Sequence, residues 1–189
     1  MTLSLVWKIL FYGWTASEVA LVIATRTRRG AGKLSDRGSI IVLWGTIVAS
    51  ITAMDFIHDR FPAPMFPGAH WPRYAAVGLM IAGLILRWTA ILSLGKAFSV
   101  NVAIRDTQTL YNKGLYRLVR HPSYSGMVVC FVAIGMIQRN WFGFALVLVP
   151  TTLALLYRIH VEEAALNEAF GAQYASYSRT TKRLIPGIY

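Results

Sequence analysis

The sequence predicts an all-α membrane protein, a polytopic bundle of about five transmembrane helices. Of the 189 residues, 56% are hydrophobic and only 14% are charged, whereas a soluble domain is usually about 25% charged. Apolar runs close to 20 residues long, the length that a helix needs to cross a bilayer, recur along the chain. The net charge of +11 falls mainly outside these runs. A nucleic-acid-binding protein can be equally basic, but it would not contain several long apolar runs.

Each of five apolar runs predicts one transmembrane helix. The first contains Lys8 and Glu18, and it is too polar, and lacks the basic-then-apolar order, to be a cleaved signal peptide. Three residues separate the fourth run from the fifth, which forces an antiparallel hairpin. Pro150 is expected to bend the fifth helix, as membrane helices tolerate. The predicted spans are residues 3–25, 39–57, 74–94, 122–137 and 141–159.

The distribution of Lys and Arg predicts the orientation. Five of these residues lie in segment 26–37, five in segment 96–120 and four at positions 158, 179, 182 and 183, whereas the opposite side has Arg60, Arg73 and Arg139. Basic loops stay in the cytoplasm, so these three segments are predicted to be cytoplasmic and the N-terminus external. The economical prediction is one domain over residues 1–189, because no linker or internal repeat divides the chain.

The first candidate site follows from Arg120-His121-Pro122 at the start of the fourth span. Proline suits the first turn of a helix, which places His121 near the N-cap. The free N–H groups of that helix start, beside Arg117 and Arg120, would suit an anion such as a carboxylate. Equally, both arginines could set the topology by reaching lipid headgroups while His121 only caps the helix. The residues alone favour neither interpretation.

The second candidate site is the segment from Arg158 to Glu163. Arg158 precedes Glu162 by four residues, so the two can pair on a helix. Alternatively, one of the adjacent glutamates pairs with arginine while the other accepts hydrogen bonds from a ribose or an ammonium group. Tyr174 and Tyr177 lie three residues apart and are read as an interfacial aromatic belt in preference to a pocket wall.

Several other polar residues carry less information. Arg87 lies within the third span, and an intramembrane charge is a functional candidate, yet it lies near the helix end. Glu18 and Asp55 are assigned to helix packing or capping. The sequence has one cysteine, Cys130, within an apolar run, and no spacing typical of a metal site, so no metal is predicted.

Together these motifs resemble the isoprenylcysteine carboxyl methyltransferase family. The resemblance rests on Arg120-His121-Pro122-Ser123-Tyr124-Ser125-Gly126, then Gln138 and Asn140, then Arg158, Glu162-Glu163, Leu166, Phe170-Gly171, Tyr174, Tyr177 and Arg183-Leu184-Ile185-Pro186. It runs from about Arg87 to the C-terminus. The implied methyltransferase core is 73–189, whereas spans 1–72 match only in being hydrophobic.

The resemblance implies an S-adenosylmethionine pocket at the cytoplasmic membrane boundary and a lipophilic, isoprenylcysteine-like acceptor that is converted to a methyl ester. Arg158 would face the acceptor carboxylate, and Glu163 would share the catalytic role. An ionised carboxylate needs no general base, and an arginine can orient it bidentately. The chain lacks the additional N-terminal spans common in eukaryotic relatives, which suggests a compact prokaryotic inner-membrane protein. The implied cofactor-binding residues are His121, Tyr124, Gln138, Glu162, Glu163, Leu166, Arg183, Leu184 and Pro186.

Three alternatives stay open at this point. A phospholipid N-methyltransferase has a similar C-terminal region and would methylate an amine. A noncatalytic lipid-binding protein of the same fold would not bind the cofactor. Sterol reductases share part of the pattern, but they normally have more spans and use NADPH. Among the implied residues, Gln138 stands apart, because the hairpin turn is predicted on the opposite side of the membrane. Either the turn is buried or Gln138 only packs.

Overall fold

The computed structural model describes residues 2–24, 33–34, 38–58, 60–95, 103–104 and 109–189. Six α-helices and a 3₁₀ turn account for nearly all the regular structure in these ranges, which confirms the predicted all-α class. Two strands of two residues each make one antiparallel ladder. The elements are α1 (Leu3–Ala24), β1 (Lys33–Leu34), α2 (Ser39–His58), α3 (Trp71–Leu94), β2 (Ala103–Ile104), the 3₁₀ turn (Gly114–Arg117), α4 (Pro122–Ile137), α5 (Trp141–Phe170) and α6 (Ala172–Thr180).

Four of these helices, α1, α2, α3 and α5, are long and apolar enough to cross a membrane. The fourth predicted span, α4, is a helix of 16 residues, shorter than a typical span. It packs between α3 and α5. Met127, Phe131 and Ile134 of α4 are at most 1% exposed, so this short helix forms the centre of the core.

The fifth helix extends beyond the predicted span. The apolar run stops at residue 159, but α5 continues to Phe170, through Pro150 and through both glutamates of the second candidate site. Apolarity marks the part of a helix that suits lipid, whereas Ala, Leu and Glu continue a helix in water equally well. The helix ends where Gly171 adopts a φ of 48°, a conformation that glycine adopts readily.

Two glycines let α3 and α4 approach closely. A Cβ atom added to Gly83 would lie 2.7 Å from Cys130 Sγ and 2.9 Å from the Gly126 carbonyl oxygen. A Cβ added to Gly126 would lie 2.7 Å from the backbone nitrogen of Arg87. Small residues are typical of such contacts between membrane helices, since they let the backbones touch. The contact fixes Arg87 against the first half of α4.

Backbone pairing places the loops at two ends of the bundle. Lys33 pairs with Ile104, which joins the first two basic segments, and Val119 pairs with Lys182, which joins the second segment to the tail. At the other end, Trp141 N donates to the Ala63 carbonyl, so the hairpin turn lies against the loop after α2. The grouping of the three basic segments at one end agrees with the predicted topology. Many basic residues of segments 26–37 and 96–120 lie outside the described residues.

Candidate functional site

The C-terminal tail folds back onto the start of α4. His121 is the N-cap residue of α4, as predicted. The backbone N–H groups of Arg120 and His121 donate to the carbonyls of Lys182 and Arg183, at 2.7 and 3.0 Å. Ser125 Oγ donates to the Leu184 carbonyl at 2.6 Å. The motif around His121 and the tail motif, about 60 residues apart, therefore form one layer at the end of the bundle.

Glu163 is the charged centre of this layer. Its Oε1 accepts from Arg120 Nε at 2.8 Å and lies 3.4 Å from His121 Nε2. Its Oε2 accepts from Arg183 Nε and Nη2, at 3.0 and 2.9 Å. The Arg120 guanidinium also donates to the carbonyls of Ser178 and Thr181. Glu163 and Arg120 therefore connect α4, α5, the end of α6 and the tail.

Tyr124 joins the other glutamate to the buried arginine. The Tyr124 hydroxyl donates to Glu162 Oε2 at 2.8 Å and accepts from Arg158 Nε at 3.4 Å. Arg158 is 1% exposed, and its Nη1 donates to Ser39 Oγ at the start of α2, at 2.6 Å. The Tyr124 ring stacks on His121 with centroids 5.6 Å apart. Hydrogen bonds thus connect a carboxylate, a phenol and a buried guanidinium, and we refer to Glu162, Tyr124 and Arg158 together as a line.

The remaining predicted site residues divide into two groups. Leu184 is buried, Leu166 is half-buried and Pro186 is exposed, and Leu184 joins the layer through its carbonyl group. Gln138 does not join the layer. It is the C-cap residue of α4, at the opposite end of this 16-residue helix, and its amide donates to Asp55 Oδ1 at 2.8 Å. Of the two interpretations of Gln138, the geometry therefore supports packing and not a place in the pocket.

The sequence alone does not predict the contacts of Arg120 and Ser39. It offers Arg120 as a cation for an anionic ligand or for headgroups, whereas in the structure Arg120 donates to Glu163 and to the carbonyls of Ser178 and Thr181. It identifies Ser39 only as the start of a span. A bond between residues 119 positions apart leaves no local pattern, so nothing in the sequence identified Ser39 as a partner of Arg158.

The tyrosines of α6 pack inward and do not form the predicted interfacial belt. Tyr174 is 4% exposed, and the Tyr177 hydroxyl donates to the Tyr116 carbonyl at 2.5 Å. Burial raises the pKa of Tyr177 to about 12. Burial, and then the charge of Glu163, raise the pKa of Tyr174. Both phenols therefore stay protonated at neutral pH. The pKa of the Arg183 guanidinium is raised by its hydrogen bond to Glu163, so this pair stays charged.

Comparison with known proteins shows what this chain is similar to. The model of the "Isoprenylcysteine carboxyl methyltransferase (ICMT) family" matches residues 76–168, from α3 almost to the end of α5. A solved eukaryotic intramembrane Ras methyltransferase of that family superimposes with a TM-score of 0.64 and 29% identity, over 77% of this chain. Over these helices the chain is similar to the isoprenylcysteine carboxyl methyltransferase family. This similarity supports the predicted class, a membrane carboxyl methyltransferase. The chain spans about half of the solved protein, 52%.

Individual relatives agree with this assignment. Protein-S-isoprenylcysteine O-methyltransferase B of Arabidopsis thaliana is 28% identical over 91% of this chain and 87% of its own length. The Tribolium castaneum protein-S-isoprenylcysteine O-methyltransferase is 29% identical over 76% of this chain and 52% of its own. A methanethiol S-methyltransferase of Pseudomonas deceptionensis is 30% identical over 56% of this chain and 42% of its own. Relatives therefore carry names for both carboxyl and thiol methylation.

Proposed function

We propose that this chain transfers the methyl group of S-adenosylmethionine to the carboxylate of a lipophilic, isoprenylcysteine-like acceptor and so forms a methyl ester. The reaction would take place at the basic, cytoplasmic end of the bundle in a prokaryotic inner membrane. The observation that supports this proposal best is the line from Glu162 through Tyr124 to Arg158. It offers an anionic group at the bundle end and a buried cation next to the membrane-embedded core.

The side chains of the layer suit S-adenosylmethionine. That molecule offers an ammonium group and ribose hydroxyls to an acceptor such as Glu162, and its carboxylate can bind cations. The Tyr174 side chain is buried next to Glu163 and so helps to enclose this layer. We assign Glu162, His121 and Tyr124 to direct contact with the cofactor. Leu166, Leu184 and Pro186 would supply apolar contacts.

Glu163 and Arg183 receive a supporting role in this proposal. The carboxylate of Glu163 already accepts from Arg120 and Arg183 and lies next to His121. A carboxylate with these cationic partners has little capacity left for a ligand, and its charge is balanced by them. We therefore propose that Glu163 holds His121 and the tail in place around the cofactor, while Glu162 binds it.

Arg158 is the group we assign to the acceptor. Its guanidinium is fixed by Tyr124 and Ser39, on α4 and α2, so it is preorganised to orient a carboxylate. The cofactor supplies an electrophilic methyl group on its sulfonium sulfur. An ionised carboxylate needs no base, so the chain has only to align the acceptor and exclude water. The burial of Arg158 provides this dry environment.

The direct test is methyl transfer by detergent-purified protein. S-adenosylmethionine with a labelled methyl group would be incubated with an N-acylated prenylcysteine, with phosphatidylethanolamine and with a small thiol. We expect label in the prenylcysteine product, released as methanol by mild base because the product is an ester. Base-stable label in phosphatidylethanolamine would favour the amine acceptor and contradict the proposal. Label in the thiol alone would move the assignment to thiol methylation.

A further inference from the structure

A buried ion pair connects α1 to the core next to the proposed site. Glu18 of α1 is 1% exposed and Arg87 of α3 is 4% exposed. Arg87 Nε and Nη2 donate to the two carboxylate oxygens of Glu18. An ionised side chain inside a membrane segment is expensive unless it is paired, so such pairs usually serve a function. The proposed methyl-transfer mechanism, which uses Glu162, Tyr124 and Arg158, does not involve this pair.

The third nitrogen of the Arg87 guanidinium reaches the start of α4. Arg87 Nη1 donates to Ser123 Oγ at 2.9 Å. Because the bidentate bond to Glu18 fixes the plane of the guanidinium, it also fixes the direction of Nη1. The backbone of Arg87 lies against Gly126 in the same helix. Arg87 therefore holds the start of α4 through its side chain, at Ser123, and through its main chain, at Gly126.

Ser123 precedes Tyr124 in that first turn. Tyr124 makes the bonds to Glu162 and Arg158, at 2.8 and 3.4 Å, and a rotation of the turn would change both distances. We propose that Glu18 and Arg87 are positioning residues: their ion pair fixes Ser123 and so sets where Tyr124 meets Glu162 and Arg158. This inference rests on the proposed function.

The inference gives α1 a role in the site. The family match begins at residue 76, so α1 lies outside it, and most of the helix surface is exposed in the bundle. Besides the ion pair, Trp14 of α1 packs edge-on against Phe131 of α4, with centroids 6.3 Å apart. Membrane helices have little hydrophobic drive to associate, so a polar link of this kind specifies where α1 binds.

The test separates positioning from stability. E18Q leaves Arg87 without its anionic partner, so it should lower both the thermal midpoint and kcat. The double variant E18L/R87M removes both charges and should recover the midpoint, because replacing a buried pair with apolar groups is often neutral. Its kcat should stay about tenfold low, since one hydrogen bond to a charged group, here the bond to Ser123, corresponds to about that factor.

Substitutions of Ser123 provide a second test, which perturbs the buried ion pair less. S123A leaves the Arg87 Nη1 group without this acceptor, so it should lower kcat by about threefold to tenfold and lower the midpoint by less than E18Q does. S123T, which keeps the hydroxyl, should recover most of both. S50A, a substitution of a buried serine of α2, is the matched control and should leave kcat unchanged. Calorimetric titration with S-adenosylhomocysteine would accompany each variant, and affinity should change less than kcat.

Two results would overturn the inference while the proposed function stands. One is full recovery of kcat together with the midpoint in E18L/R87M. The other is wild-type kcat for S123A in an active preparation. If the double variant does not fold, the kcat values of S123A, S123T and S50A are sufficient to test the inference. A wild-type protein that is folded but neither binds S-adenosylhomocysteine nor methylates any acceptor would instead refute the proposed function.

Discussion

The two adjacent glutamates should respond differently to the same substitution. In the native pair, the side chain of Arg120 is 10% exposed and that of Glu163 is 13% exposed. The substitution E163Q takes the ionised acceptor away from this largely buried arginine. A hydrogen bond between charged groups contributes about 2 kcal/mol. The Arg183 side chain is 38% exposed, so its share is small. A loss of about 2 kcal/mol corresponds to a fall of about 4–8 °C in the thermal midpoint for a chain of this size.

E162Q is the matched substitution on the next residue. The amide oxygen can still accept from Tyr124, so the thermal midpoint should stay close to that of the wild type. The negative charge assigned to the ammonium group or ribose is lost, and the affinity for S-adenosylhomocysteine should fall by about tenfold to a hundredfold. Fluorescence-detected unfolding and calorimetric titration in the same detergent measure both quantities. The division of roles is refuted if E163Q leaves the midpoint unchanged while E162Q lowers it.

Three further predictions follow from the same geometry. R158K should reduce kcat/KM for the carboxylate acceptor by about tenfold to a hundredfold, with little change in S-adenosylhomocysteine affinity, because lysine lacks the bidentate fork; a variant with wild-type turnover would remove Arg158 from the acceptor site. G83A should destabilise the bundle by about 1–3 kcal/mol through overpacking against Cys130. The control is G78A on the same helix, where an added Cβ meets no atom within 4 Å, and this variant should be neutral or stabilising. Equal unfolding midpoints for G83A and G78A would contradict the close α3–α4 contact. Q138A should leave S-adenosylhomocysteine affinity unchanged, since its amide bonds to Asp55 at the far end of α4; a large loss of affinity would return it to the pocket.

The sequence predicts the apolar helices well because the signal is local. Apolarity over about 20 residues places four helices, and the proline at position 122 marks the start of α4 at the residue where the structure has it. Apolarity alone places the end of α5 too early, at residue 159 and not at Phe170. Residues 160–170 are amphipathic and helical, and apolarity alone does not distinguish a helix that leaves the membrane from a loop.

Partners far apart in the chain could not be predicted in the same way. Glu18 and Arg87 are separated by 69 positions. Glu18 alone indicates packing or capping, and Arg87 alone is a functional candidate near a helix end, so neither residue identifies the other as its partner. Glu163 was identified by its motif, but its ties to Arg120 and Arg183 depend on how the tail folds back. The resemblance placed Gln138 in the pocket, whereas the topology of the hairpin placed it at the other end. The structure agrees with the topology.

The measurement that tests the central claim most directly is calorimetric titration of the folded, detergent-purified chain with S-adenosylhomocysteine and, separately, with NADPH. A cofactor site built from α4, the end of α5 and the tail predicts saturable binding of S-adenosylhomocysteine at one site per chain and no binding of NADPH. Binding of NADPH alone, or of neither ligand by protein with an intact unfolding transition, would contradict the assignment of this layer to S-adenosylmethionine.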